Sequence, residues 1–329
     1  MLKTLRKALS SSAGRAALEF LLVLALGMAF NADGAFFKLG THRDTLRQAS
    51  VYGILACGMT MVVITGGIDL SVGSILGVSA VSFSILTMHM DWPWPAAVLA
   101  CVLLGAALGG VSGGLVARAK LQPFIATLAM QYFARGLAKY ITGGKKISTY
   151  VTAKSGEVVI KELPSIFKDI DSRILWGNLS IVSVIFFVCI AVAWVFLARH
   201  KWGRELYSVG GNEEAARLSG VPVRMTKFLA YAFAGIMCAV AGIAQAAQET
   251  QGDPEAGKDY EVIAIAMVVI GGTSLSGGRG SMGLTLLGIL TIGYLQKILS
   301  INAVPEAWRL MVTGVIVVLA VLTQRRRAK

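Results

Sequence analysis

The stretch MVVITGGIDLSVGSILG, residues 61–77, places one carboxylate, Asp69, just after a pair of glycines in an otherwise apolar run. Glycine is a poor helix former and tolerates left-handed backbone, so we expect Gly66 and Gly67 to end one helix. Asp69, with Ser71 as the competing residue, then stands where the N-cap of the next helix belongs. The run therefore predicts a sharp turn between two apolar helices, with a side chain capping the second.

The composition indicates that these helices cross a membrane. Hydrophobic residues make up 55% of the 329 and charged residues only 15%, against roughly 25% charged in soluble domains. Several charge-free stretches reach the ~20 residues that a helix needs to cross a bilayer. We predict an all-α, polytopic membrane protein whose single transmembrane domain covers residues 1–329. About ten transmembrane helices are expected, at 16–37, 46–66, 70–90, 94–117, 122–142, 178–199, 226–249, 261–274, 280–299 and 307–324.

The net charge of +13 is typical of basic residues collected in cytoplasmic segments of a membrane protein. No basic helix or aromatic and basic surface is present, so no nucleic-acid partner is predicted. With ten helices and the N-terminus inside, 17 Lys and Arg residues fall in inside segments and six in the short outside segments. This asymmetry predicts that both termini are cytoplasmic, with a long periplasmic loop at 143–177 and a cytoplasmic loop at 200–227.

No catalytic residue, metal site or cofactor is predicted. The four cysteines lie inside apolar spans without metal-ligand spacing, and we interpret them as small buried hydrophobic residues: Cys57, Cys101, Cys189 and Cys238. The three histidines are scattered near predicted membrane interfaces, at His42, His89 and His200. They are better explained as solvated or capping residues than as ligands.

The turn at Asp69 has a second copy in the chain. Residues 267–281 read MVVIGGTSLSGGRGS and share MVVI, GG and LS with 61–76, with Ser274 in the place of Asp69. We interpret this as an internal repeat. Both turns fall on the cytoplasmic side in the ten-helix topology, whereas a miscounted helix between them would make the repeat inverted. Two glycine-broken turns in one chain suit a symmetric pore or gate.

An ionisable residue inside a membrane is by default a candidate for a translocation path, because irregular backbone persists there only where protein or water covers it. A carboxylate and hydroxyls beside such a path would suit a polyhydroxylated solute. The candidate gate or path residues are Gly66, Gly67, Asp69, Ser71, Ser274 and Ser276, with Phe124, Thr127 and Gln131 at i, i+3, i+7 spacing on one helix. Plain capping for Asp69, and helix packing for the last three, are the structural alternatives.

Glycines also mark the predicted helix 94–117, where Gly105, Gly109 and Gly113 recur every four residues. Such a strip lets another backbone approach closely. The motif itself does not separate packing within one chain from packing between two copies, and we favour the first.

The loop 200–227 holds the signals of a short soluble helix. Asn212 is a good N-cap, Glu213 and Glu214 fall in the first turn, Gly220 fits the position after the helix, and Pro222 follows. An isolated helix this short is marginal in water. Clear signals for both ends of so short a helix therefore favour docking into a cytoplasmic partner, although a plain surface helix is the alternative.

These residues resemble a known family. Glu214, Ala215 and Ala216, followed by three residues and Gly220, resemble the EAA loop of bacterial ABC importer permeases. GGIDLSVGS at 66–74 resembles the hallmark of the ribose-type sugar permeases within that group. The similarity is also seen in PFIATL with Arg135-Gly136, in the second glycine turn and in VGGNEEAARLSGVPV, and runs from about residue 45 to the C-terminus.

The resemblance implies a permease domain of a bacterial ABC importer in the inner membrane, with some ten helices. It implies that this subunit imports a sugar and that a separate ATPase subunit drives the transport. The implied partners are that ATPase, a periplasmic sugar-binding protein, a second permease copy or paralogue, the sugar and membrane lipid. The ATPase-coupling helix would comprise Asn212, Glu213, Glu214, Ala215, Ala216, Leu218 and Gly220. Consistent with this division of labour, Gly143-Gly144-Lys145-Lys146 lacks the rest of a nucleotide-binding P-loop.

Two other functions compete with this one. An ion-gradient-driven secondary transporter would use Asp69 for protons or the carbonyls at the glycine breaks for sodium. A membrane enzyme would need a cluster of His, Asp or Glu within the spans, and the sequence shows none. Dependence on a separate ATPase subunit distinguishes the importer from both.

Overall fold

A computed structural model of the chain describes residues 11–152 and 158–325, and these form one helical bundle. The helices are α1 (Ser12–Ala29), α2 (Leu39–Ile64), α3 (Val72–Ser84), α4 (Trp94–Ala117), α5 (Pro123–Thr142), α6 (Ser165–Asp171), α7 (Ile181–Ala198), α8 (Lys201–Gly211), α9 (Glu213–Leu218), α10 (Val223–Glu249), α11 (Tyr260–Ile270), α12 (Met282–Ile301) and α13 (Glu306–Arg325). A 3₁₀ turn (Ala35–Phe37) precedes α2, and a π-helical turn (Ile85–His89) extends α3. The residues 1–10 and 326–329, which carry much of the charge used for orientation, lie outside the described residues.

Each of the ten predicted membrane helices has a counterpart, which confirms the all-α polytopic class. Within the described residues, seven helices are long and apolar enough to cross a membrane. The count of ten crossing helices is not confirmed, since α5, α11 and α13 fall outside that set. Three predicted boundaries are wrong. The second helix begins at Leu39 instead of 46. The first helix ends at Ala29 instead of 37, and α11 ends at Ile270 instead of 274.

The centre of the bundle is α10, which packs against α2, α3 and α4. Its contact with α4 uses the predicted glycine strip. A Cβ at Gly105 or Gly109 would collide with a backbone carbonyl of α10, and one at Gly113 would lie 2.9 Å from the carbonyl oxygen of Phe228. The strip therefore serves packing within this chain, which confirms the favoured interpretation.

The described residues of the loop 143–177 form local secondary structure. It carries two antiparallel hairpins, β1 (Tyr150–Thr152) with β2 (Val158–Ile160), and β3 (Arg173–Ile174) with β4 (Leu179–Ser180), around α6. Phe167 of α6 is fully buried, with its ring centroid 5.2 Å from that of Phe83 on α3. Ion pairs from Arg47 to Asp171 and from Arg173 to Asp44 tie the loop to α2. The loop thus forms a fixed cap at the end of the bundle opposite the glycine turns.

Candidate functional site

The first glycine turn follows the end of α2 and has the predicted form. The helix stops at Ile64, and Gly66 takes a left-handed φ of +79°. Gly67 allows a close approach, because a Cβ there would lie 2.5 Å from the hydroxyl oxygen of Tyr231 on α10. A side chain with a Cβ meets strain at the first position and crowding at the second. The prediction that these two glycines end the helix is confirmed.

Asp69 lies beyond this turn and is fully buried. Its Oδ1 accepts hydrogen bonds from the backbone N–H of Ser71 at 2.9 Å and from the Ser71 hydroxyl at 2.5 Å. Ser71 is the N-cap residue of α3, and its own side chain caps no amide of that helix. The predicted side-chain cap on α3 is therefore wrong: Asp69 closes a tight turn onto Ser71, and neither side chain accepts a hydrogen bond from the first-turn amides of α3. The other carboxyl oxygen, Oδ2, is buried without a hydrogen-bond partner among the described residues.

The second glycine turn follows the end of α11. The helix stops at Ile270, and Gly272 takes a φ of +104°. The turn then closes on itself, since the backbone N–H of Ser274 donates to the carbonyl of Arg279 at 2.9 Å. Ser274 is half-buried and Ser276 is exposed. Both copies of the repeated motif therefore end a helix in a left-handed glycine.

The two turns meet each other and the end of α8. The N–H of Gly278 in the second turn donates to the carbonyl of Ile64 at 2.9 Å. Gly210 of α8 lies against both, because a Cβ there would collide with the Ile64 carbonyl oxygen and would lie 2.5 Å from the Gly278 nitrogen. A Cβ at Gly277 would lie 2.7 Å from the Gly210 carbonyl oxygen. We call this contact of three backbones the glycine joint. It places both turns at one end of the bundle, as the ten-helix topology predicts.

The helix α8, which forms part of this joint, was not predicted. Trp202, Leu206 and Val209 are its buried face, and the Tyr207 hydroxyl donates to the carbonyl of Gly280 at 2.8 Å. The apolar spacing i, i+4, i+7 with His200 as N-cap was the available signal. Glycines at 203, 210 and 211 obscured it, because glycine lowers helix propensity.

The predicted short helix is present as α9. Asn212 caps it by accepting from the N–H of Ala215 at 3.0 Å, and Gly220 follows with a φ of +80°. Ala216 is the one buried residue of α9, and it packs in a small apolar cluster with Val209 and Val223. These contacts fix the helix to α8 and α10.

The outward side of α9 is free of intrachain packing. Leu218 is 78% exposed, and Ala215 and Glu214 are exposed beside it. Arg217 pairs with Glu214 at 2.6 Å, and this hydrogen bond raises the pKa of Arg217. Lys227 holds Glu213 at 2.5 Å. The helix thus presents one apolar side chain between charged groups, directly after the glycine joint.

Two non-helical segments enter the bundle, at 65–71 before α3 and at 250–259 before α11. The second runs beside α3, where a Cβ at Gly252 would lie 2.8 Å from that of Ser84 and a Cβ at Gly257 would collide with the Gly73 carbonyl. This packing explains why α11 has only 11 residues. Discontinuous helices of this kind are the usual sites of solute binding in transporters.

A polar stripe on α5 holds both segments. Its members recur every four residues, so they lie on one helix face. Thr127 donates to the carbonyl of Ile68 at 3.3 Å, and Gln131 donates to Glu261 Oε1 at 2.7 Å. Arg135 and Lys139 continue the stripe toward the segment 250–259.

Arg135 is the centre of that stripe. It donates to the carbonyls of Pro254 at 2.5 Å, Ala256 at 2.8 Å and Gly73 at 3.4 Å. Lys139 pairs with Glu255 at 2.5 Å. Neither residue was among the predicted site residues, although their spacing of four from Thr127 and Gln131 was a usable signal.

An ion pair also holds the segment 250–259. Lys146 and Asp253 lie 2.9 Å apart. Burial alone would raise the pKa of Asp253, but hydrogen bonds from Lys146 and from the Glu255 N–H lower it overall. Asp253 is therefore ionised near neutral pH, and its ion pair with Lys146 holds the segment in place.

Phe124 does not join the other predicted stripe residues. Its side chain is 53% exposed on the outer surface of α5, whereas Thr127 is fully buried. The structure brings together Asp69, Ser71, Thr127 and Gln131 around the two entering segments, and it places Ser274 and Ser276 in the second turn. Within α5 the residues Phe124, Thr127 and Gln131 keep the i, i+3, i+7 spacing of one helix face, and they differ in burial.

Comparison with known proteins identifies the family. Residues 43–321 match the family described as branched-chain amino acid transport system / permease component. The chain belongs to this permease family. A ribose import permease of Escherichia coli (strain K12) is 38% identical over 293 residues, covering 89% of this chain and 88% of that protein. A ribose import permease of Bacillus subtilis (strain 168) is 37% identical over 288 residues, covering 87% and 84%.

A third permease relative is named for another sugar. The xylose transport system permease of Escherichia coli (strain K12) is 31% identical over 348 residues, covering 92% of this chain and 88% of that protein. No solved structure matches the chain. The predicted resemblance to ribose-type permeases is confirmed, and the relatives favour a sugar importer permease over an ion-gradient transporter. The chain is a multi-pass membrane permease.

Proposed function

We propose that this chain is the membrane-spanning subunit of an ABC importer that moves a ribose-like monosaccharide or related polyol across the bacterial inner membrane. A separate ATPase subunit supplies the energy. The observation that carries the proposal is the direct connection of the exposed helix α9 to both glycine turns through the glycine joint. The ribose and xylose permeases among the relatives support the sugar class.

In the proposed mechanism, α9 is the coupling helix. Leu218 and the charged groups around it fit a groove on the ATPase, with Glu214 at the contact. Asn212 is the only residue between α8 and α9, so a displacement of α9 shifts the end of α8. Because the Gly210 backbone touches the Ile64 carbonyl and the second turn, that shift moves both turns together. The turns then act as the gate at the cytoplasmic end, with both termini on that side.

The sugar pathway follows from where the polar groups lie. Asp69 and Ser71 line the first entering segment, and Gln131 with Glu261 lies beside the second. Phe124 is 53% exposed on the surface of the chain, so it contacts sugar only if the path runs between two permease copies. We therefore assign a second copy, identical or paralogous, to the outer face of α5.

The remaining partners sit at opposite ends. The ordered loop 143–177 is the docking surface for a periplasmic sugar-binding protein, since its ion pairs hold it in one shape at the end away from α9. ATP hydrolysis belongs to the partner subunit, because the glycine and lysine run at 143–146 lacks the complete P-loop pattern.

Uptake into proteoliposomes tests the substrate class. The chain is reconstituted with its ATPase subunit and binding protein, and radiolabelled ribose, xylose and leucine are offered separately. We expect ATP-dependent uptake of a pentose and none of leucine. Leucine uptake without pentose uptake would favour the amino-acid class printed in the family description, and uptake by the chain alone under an ion gradient would overturn the importer.

A further inference from the structure

A groove of about 390 Å³ lies between α2, α7 and α12, at the end of the bundle away from the glycine joint. One end of the groove is polar and is lined by His42, Arg43 and Asn178. The first two belong to the first turns of α2, and Asn178 lies just before α7 begins. The polar end therefore lies where these helices start, at the level of a membrane interface.

The rest of the groove is apolar and continues toward the middle of the bundle. Its walls include Ala49, Phe187, Leu286 and Leu290. Leu290 lies near the middle of α12, and Phe187 is 41% exposed on α7. The groove thus opens sideways along two helices that cross the membrane, where lipid is the solvent.

Arg43 is a cation at the polar end of the groove that has no ion pair among the described residues. Its Nε is buried and has no hydrogen-bond partner among the described residues. The neighbouring basic residues Arg47 and Arg173 are paired with carboxylates, Asp171 and Asp44. Within the described part of the chain, no acidic side chain lines the groove. A buried donor on a cation calls for an anionic acceptor.

We propose that this groove binds a membrane phospholipid, with the phosphate on Arg43 and one acyl chain along Leu286 and Leu290. Guanidinium groups recognise phosphate oxygens through two parallel N–H bonds. Asn178 and the His42 ring add donors at the rim. His42 is held in place by its contact with the Tyr294 hydroxyl at 3.1 Å. The site is independent of the transported solute and of the ATPase.

Native mass spectrometry of the purified chain tests the site. The probes are palmitoyl-oleoyl phosphatidylglycerol, palmitoyl-oleoyl diacylglycerol, which lacks the phosphate, and inorganic phosphate. We expect one phosphatidylglycerol per chain, at least tenfold weaker diacylglycerol binding, and no stoichiometric phosphate. Arg43→Gln should weaken phosphatidylglycerol binding at least tenfold.

Two further variants keep the test decisive. Arg173→Gln is the matched control, because it removes a paired arginine at the same end of the bundle, and it should bind like wild type. Leu290→Trp fills the apolar part without touching the cation, and it should abolish binding even if Arg43→Gln misfolds. Equal binding by wild type, Arg43→Gln and Leu290→Trp would overturn the proposal, as would stoichiometric inorganic phosphate with no bound lipid.

Discussion

Among the individual side chains, Asp69 combines two roles that a substitution can separate. Its Oδ1 closes the turn onto Ser71, and its Oδ2 is buried without a partner. Asparagine keeps an oxygen that accepts the Ser71 N–H but removes the acidic group. A role in turn formation therefore survives Asp69→Asn, whereas a role that needs the carboxyl group does not.

We predict that Asp69→Asn inserts and folds but loses at least tenfold in transport rate. Membrane insertion, thermal unfolding and sugar uptake are measured on the same preparation. Asp69→Ala removes the turn-closing acceptor as well and should also lower the unfolding temperature. Wild-type uptake by Asp69→Asn would mean that Asp69 only shapes the turn.

Gly67 is tested by a rescue experiment. A methyl group there would lie 2.5 Å from the Tyr231 hydroxyl oxygen and 3.3 Å from the adjacent ring carbon. Overpacking of this kind costs about 1–3 kcal/mol, so Gly67→Ala should lower the unfolding temperature. Adding Tyr231→Phe removes the closest atom and should restore part of the loss.

Gly136 provides the matched control, because nothing lies within 4 Å of a Cβ there and the residue is inside α5. Gly136→Ala should be neutral or stabilising by roughly 0.5–1 kcal/mol, as expected for alanine replacing glycine within a helix. An unfolding temperature for Gly67→Ala equal to that of Gly136→Ala would contradict the close packing at Gly67.

Two neighbouring glycines at the end of α8 differ in what a Cβ would meet. A Cβ at Gly210 collides with the Ile64 carbonyl, whereas a Cβ at Gly211 meets nothing within 4 Å. Gly210→Ala should push α8 away from both turns while leaving the surface of α9 intact. We predict that it keeps ATPase binding and hydrolysis but loses at least tenfold in sugar uptake.

Gly211→Ala should keep both activities and serves as the control. Hydrogen exchange of the Gly278 N–H, which donates to Ile64, reports the joint directly and should become faster only in Gly210→Ala. Coupled uptake at the wild-type rate in Gly210→Ala would show that the joint does not transmit the motion.

The polar stripe on α5 makes a prediction about stability. Arg135 satisfies two backbone carbonyls of segment 250–259 and one of α3, while Lys139 is half-exposed in its ion pair with Glu255. Hydrogen bonds to charged groups contribute about 1.5–3 kcal/mol, and exposed ion pairs about 0–1. Arg135→Met should therefore destabilise the fold much more than Lys139→Met in denaturant unfolding. Equal losses would contradict the assigned contacts.

Local signals in the sequence predicted the first glycine turn and α9 well and the entering segments poorly. Gly66 with Gly67, and Asn212 with Gly220, act through their own backbone or nearest neighbours, so the pattern alone indicates the turn and the cap. The short length of α11 depends on segment 250–259 packing against α3. The role of Arg135 depends on carbonyls about 60 and 120 residues away. Such contacts have no local pattern, and the exposure of Phe124 beside the buried Thr127 has none either.

The whole molecule has different features at the two ends of one bundle. The described part of loop 143–177 lies at one end, and α9 with both glycine turns lies at the other. The entering segments and the α5 stripe lie between them, with Asp69 buried among them. The arrangement fits the proposed permease, which would receive solute at one end and energy at the other. We propose that the energy enters through α9.

Sugar uptake and ATP hydrolysis in proteoliposomes, measured side by side for wild type and Glu214→Arg, test that claim most directly. The chain is reconstituted with its ATPase and binding protein, and thermal unfolding confirms that the variant is folded. Gly211→Ala, whose added methyl group meets nothing within 4 Å and leaves the charges of α9 in place, is the control. We predict that wild type and the control show ATP-dependent sugar uptake and that this uptake collapses in Glu214→Arg. Uptake that needs no ATPase and is unchanged by Glu214→Arg would contradict it.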